Sequence, residues 1–205
     1  LANPPASDTP DEPPPEPLSP PPPPPAPAPR PALLRSLGVR ASAHFDVGTL
    51  PAIVAPGLAL TAVLELGPAR VEAGGAYWFA GRRDAVSVAP GVGVEVSMAA
   101  AQVRGCFVPR FSTRVELGAC GGIEAGAQLG QGVGNSAPAS GEGPWVAALA
   151  GALFEWRVRP PLVLHLGIDG VFSLSAPGFA INDEVIHRAS VAAVRGTLGV
   201  GVHFR

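Results

Sequence analysis

From Ser36 onward the chain alternates apolar residues with small or polar ones, in runs broken by connections bearing glycine and proline. Period two belongs to a β-strand whose two faces meet different surroundings. The most regular run closes the chain. Val194, Gly196, Leu198, Val200, Val202 and Phe204 form one set; Arg195, Thr197, Gly199, Gly201, His203 and Arg205 form the other.

Seven similar runs precede it, which predicts eight strands in meander order. The first, Ser36–Val47, sets Leu37, Val39, Phe45 and Val47 against Arg40, His44 and Asp46. The second, Leu58–Leu66, sets leucines against Thr61 and Glu65. The third sets Val71, Tyr77 and Phe79 against Arg70, Glu72 and Trp78. In the fourth, Val92, Val94, Val96 and Met98 oppose Glu95 and Ser97. In the fifth, Val115, Leu117, Ile123 and Leu129 oppose Arg114, Glu116, Cys120 and Glu124. The sixth sets Val146, Phe154 and Trp156 against Glu155 and Arg157; the seventh sets Leu164, Leu166, Ile168 and Phe172 against His165 and Asp169. Tight turns are expected at Gly67–Ala69 and Arg159–Pro161. Long loops are expected at 81–90, about 131–144 and about 174–190.

Alternation does not say which face is outside. A soluble, lipocalin-like barrel buries its apolar face, whereas a membrane barrel turns that face to lipid. Four features favour the second arrangement. Nearly all strand charge lies on one face. That face is rich in glycine and alanine, and the chain has no lysine, unlike a solvated surface. Connections alternate between long and short. Finally, the apolar-face aromatics fall into two belts, Phe45, Tyr77, Phe79 and Phe172 at the long-loop end and Phe154, Trp156 and Phe204 at the other.

The closing run carries an aromatic, Phe204, one place before the final Arg205. Together with the eight alternating runs, it resembles the small eight-stranded bacterial outer-membrane β-barrels typified by OmpX and the membrane domain of OmpA. The resemblance covers residues 34–205. It implies an all-β fold, an eight-stranded antiparallel up-and-down transmembrane β-barrel. It also implies a monomer in the outer membrane of a Gram-negative cell, surrounded by outer-membrane lipid, with both termini periplasmic. Phe204 would be the assembly signal met by the barrel assembly machinery. The implied role is structural or surface-interacting, without catalysis or cofactor.

On this reading the inward face holds Arg40, Arg70, Arg114, Arg157 and Arg195. Against them stand Asp46, Glu65, Glu72, Glu95, Glu116, Glu124, Glu155 and Asp169, with His44, His165 and His203. Eight strands enclose space for side chains and little more. Charges facing that space must be paired to be tolerated, so the expectation is a lumen filled by a polar network. A proton or ion path is the alternative. The histidines show no metal-ligand spacing.

Composition changes the picture at the N-terminus. Residues 1–33 hold 16 of the 26 prolines and carry three net negative charges. Such a segment cannot form a core and is expected to be a disordered periplasmic linker with polyproline II stretches. It is either a plain spacer or a ligand for a periplasmic partner that binds proline-rich sequence. Neither part of the chain is basic enough to suggest nucleic acid. Cys106 and Cys120 flank the turn between the fourth and fifth strands. An exported protein favours a disulfide between them, although the phase of the fourth strand puts Cys106 on the outward parity, so a bulge near Gly105 would be needed. The last long loop offers Ser175, Asp183, Glu184, His187, Arg188 and Ser190. An outer-rim lipid-modifying enzyme using His187 is one alternative function, and a soluble ligand-binding barrel is another.

Overall fold

The computed structural model describes residues 36–84, 91–109, 112–134, 140–181 and 184–204. The proline-rich tail, Asp183 and Arg205 lie outside the described residues. Ten strands follow in order: β1 (Ser36–Val47), β2 (Ala55–Leu66), β3 (Ala69–Asp84), β4 (Gly93–Phe107), β5 (Val115–Val133), β6 (Ser140–Arg159), β7 (Leu162–Ser175), β8 (Gly178–Ile181), β9 (Glu184–Arg188) and β10 (Ala192–Phe204). Eight of them close into an antiparallel barrel in the order β1-β10-β7-β6-β5-β4-β3-β2, while β8 and β9 pair as a separate hairpin.

Closure rests on the last strand meeting the first. Leu37 stands opposite Phe204 and Asp46 opposite Arg195, in unbroken register. The alternation seen in the sequence becomes alternating burial. Along β10, Arg195, Thr197, Gly199, Gly201 and His203 are buried, while Val194, Leu198, Val200 and Phe204 are exposed. The barrel is inverted relative to a soluble one. Leu60, Ile123, Leu166, Ile168 and Leu198 are more than half exposed on the outer wall, while Asp46, Glu124 and Glu155 are fully or almost fully buried. All seven belt aromatics are exposed on that wall. Phe107, at the terminal end, joins them.

One turn shows why glycine is needed. Gly67, between β2 and β3, has φ 68°, a left-handed value that costs glycine little and other residues more.

Three sequence expectations need correction. First, β4 runs in the opposite phase: Val94, Val96 and Met98 are buried inside, and Ala99, Ala101 and Val103 face out. The reason is local, because the upper lumen is apolar rather than polar. Second, β5 and β6 continue to Val133 and from Ser140, which shortens the expected 131–144 loop; β3 likewise continues through Arg82 and Arg83 to Asp84, past a bulge between Trp78 and Gly81. Third, the last long loop contains the β8–β9 hairpin.

Candidate functional site

The lumen is the site where this chain concentrates its chemistry, and it is built in tiers. At the terminal rim, Glu65 on β2 and Arg70 on β3 are direct cross-strand partners. Arg70 Nη2 lies 2.9 Å from both Glu65 and Glu116. Arg157 on β6 donates to the same two carboxylates at 3.0 and 2.9 Å. Ser36 donates to Glu65 at 2.6 Å, and His203 Nδ1 lies 3.2 Å from it. Glu116 and Glu155 stand directly opposite each other, a like-charge pair that would be unfavourable alone. Arg70 resolves it by pairing with Glu155 as well, at 2.8 Å.

The middle tier is organised by Arg40, which forks onto Glu72 at 2.8 and 3.2 Å and reaches Glu155 at 3.3 Å. His165 sits beside both, 3.2 Å from Arg40 and 3.5 Å from Glu155. Arg104 on β4 crosses to Asp169 on β7 at 2.8 Å. Each of the seven described lumen carboxylates has an arginine nitrogen within 3.1 Å. Such pairing offsets the cost of burying the charges.

Above the middle tier the chemistry changes. Arg195 binds Asp46 at 3.1 Å and Glu124 at 2.6 Å. Its guanidinium lies 4.1 Å from the centre of the Trp78 ring, a cation–π contact in a dry setting. Trp145 donates to Glu124 at 2.8 Å. Asp46 also accepts from the backbone N–H and hydroxyl of Thr49. Around these groups Trp78, Trp145, Met98, Val96, Leu149 and Val171 form a core with no more than 4% exposure. The barrel is therefore polar in its lower half and packed with apolar side chains near the long-loop end.

Thirteen of the lumen candidates are charged. Glu95 and Arg114 do not face the lumen. Glu95 is half-buried on the outer side of β4, a consequence of that strand's phase. Arg114 is exposed in the bend before β5, where Ser112 accepts its N–H, so the strand alternation does not extend to it. The other lumen candidates face inward: Arg40, His44, Asp46, Glu65, Arg70, Glu72, Glu116, Glu124, Glu155, Arg157, His165, Asp169, Arg195 and His203. Arg104 is a lumen cation that the alternation misses. Cys106 and Cys120 are bonded, directly opposite each other and both inward. No bulge at Gly105 is involved. That bond was the available signal, because a pair with Cys120 forces the even positions of β4, Arg104 included, to point inside.

Glu65, Glu155 and His203 bring ligand atoms within 4.8 Å of one another. Arg70 lies against both carboxylates, so a guanidinium already fills the position a metal would need.

The long-loop mouth is covered by the β8–β9 hairpin. Phe179 and Ile186 pack on the apolar core. His187 is buried, and its Nε2 donates to the Thr49 carbonyl at 3.3 Å, since a carbonyl only accepts. Burial first, and the nearby Arg83 guanidinium, hold its pKa below the ordinary 6.5, against the Thr49 bond, which raises it.

A closed eight-stranded antiparallel barrel, apolar outside and charged within, is the architecture of the outer-membrane β-barrels. Solved structures of that class share the fold. A major outer membrane protein from Thermus thermophilus superposes with TM-score 0.58 at 12% identity, over 83% of this chain and 100% of that one. The N-terminal β-barrel domain of Pseudomonas aeruginosa OprF gives 0.50 at 10% identity, over 82% and 97%. Ail, the attachment invasion locus protein of Yersinia pestis, solved with the heparin analogue sucrose octasulfate, gives 0.50 at 15% identity, over 82% and 97%. No protein-family model matches the chain, and no curated protein is significantly similar to it.

Proposed function

We propose that this protein is a monomeric outer-membrane β-barrel with a closed lumen and a non-enzymatic role at the cell surface. In this reading the termini and tail are periplasmic, and Phe204 is read by the barrel assembly machinery. One observation carries it: the outer wall is apolar and framed by two aromatic belts, while the charges are sealed inside. Exposing Leu60, Ile123, Leu166 and Ile168 to water would be costly, and lipid removes that cost. The tiered ion pairs and the apolar plug support a structural lumen rather than a channel. No observation favours the rim-enzyme alternative. His187 belongs to the β8–β9 hairpin itself, and its Nε2 bond to the Thr49 carbonyl holds that hairpin against the barrel mouth.

Fractionation of cells expressing the full chain, combined with gel mobility before and after heating, tests the reading. The protein should partition with outer membranes and migrate faster unheated. A monomer soluble without detergent, with unchanged mobility, would contradict it.

A further inference from the structure

We propose that the terminal rim carries a binding site for the phosphodiester headgroup of an anionic phospholipid. The inference rests on the membrane reading above and adds a ligand to it. A hollow of about 490 Å³ opens at this rim, lined by Arg114, Arg157, Arg159 and His203 on its polar side and by Val158 and Leu162 on its apolar side. Its arginines are not all spoken for. Arg157 donates to Glu65 and Glu116 through Nη2 alone, and its Nε is buried without a partner. Arg70 shares those two carboxylates. Arg114 and Arg159 are exposed, and no described ion pair engages either.

The surroundings make the surplus a local field. No acid occurs in the connecting stretches 66–69, 108–115 or 158–162 at this rim. Guanidinium forks match phosphate oxygens in geometry and charge. Arg157 and Val158, which line the hollow, directly follow Trp156 on β6, and Trp156 belongs to the terminal aromatic belt. Aromatic belts sit at headgroup depth. Val158 and Leu162 then give the acyl chain an apolar start along the wall. A phosphate with attached hydrocarbon satisfies both sides of this hollow; a free phosphate satisfies one.

The chain itself supplies the probe. It has three tryptophans. Trp78 and Trp145 are fully buried in the lumen, and Trp156 is 45% exposed at the terminal belt. The full chain is reconstituted into phosphatidylcholine bilayers containing either brominated phosphatidylglycerol or brominated phosphatidylcholine, and quenching of Trp156 is followed. An advantage of about fivefold for phosphatidylglycerol is expected, the equivalent of one arginine near a lipid surface. The double variant Arg114→Ser/Arg159→Ser should lose the preference while keeping heat-modifiable mobility, since both side chains are exposed. Equal quenching by the two lipids, or an unchanged preference in the double variant, would overturn the site. Millimolar inorganic phosphate that erases the preference would also overturn it and assign the hollow to a soluble anion. No quenching by either lipid would overturn the membrane reading itself, and the site with it.

Discussion

Arg70 is 2% exposed and has three carboxylates, Glu65, Glu116 and Glu155, at 2.9, 2.9 and 2.8 Å. Removing one partner of a buried pair leaves uncompensated charge and costs about 3–5 kcal/mol. Arg70→Met should therefore lower stability by that order in denaturant titrations of liposome-inserted protein. On the outer wall the logic reverses. Leu166 is 54% exposed, so Leu166→Arg puts a charge into lipid and should cost about 2–4 kcal/mol. If either change is harmless, the assignment of faces is wrong. His187 gives a pH prediction. Its folded pKa lies below 6.5, so the undocked ring takes up a proton more readily than the docked one. Well above 6.5 both rings are neutral and docking is unaffected; as pH falls below 6.5, docking weakens. The methyl NMR signal of Ile186 should move towards a solvent-exposed shift between pH 7.5 and 5, and His187→Gln should abolish that movement.

At the scale of elements, the hairpin depends on two glycines in the barrel wall. A side chain at Gly130 would meet the ring of Phe179, and one at Gly143 would meet Pro177. Gly130→Val should thus unseat β8–β9, exposing the Ile186 methyl, while heat-modifiable mobility stays unchanged; a hairpin that remains docked would show that its seat lies elsewhere. Most strands were legible because one rule governed them, with the apolar set out and the charged set in. β10, β1 and β7 obey it at every charged position. β4 does not, because its valines and Met98 fill the plug formed with Trp78 and Trp145, and alternation is blind to which apolar face is which. The hairpin was hidden for another reason. Its two short strands do not follow the barrel's alternation, and what holds it are contacts between residues distant in sequence, such as Thr49 with His187. In the middle tier Arg40, Glu155 and Asp169 were readable singly, but not their partners, since Arg40 pairs with Glu155, and Asp169 with the missed Arg104, across the lumen rather than along neighbouring strands.

For the whole molecule, the two-part lumen predicts a closed barrel. Planar-bilayer recordings of the full chain should show no stable conductance step; a reproducible step would mean that the plug of Trp78, Trp145 and Met98 leaves a water path. The central claim, that this barrel turns its apolar wall to lipid and its charge inward, has a direct test in the chain's single methionine. Met98 is fully buried in the lumen, whereas Ile123 and Ile168 are about 60% exposed on the wall. With methyl-labelled protein in lipid nanodiscs, nuclear Overhauser transfer from acyl-chain protons should reach the Ile123 and Ile168 methyls and leave Met98 dark. Transfer to Met98 with none to the two isoleucines would contradict the account.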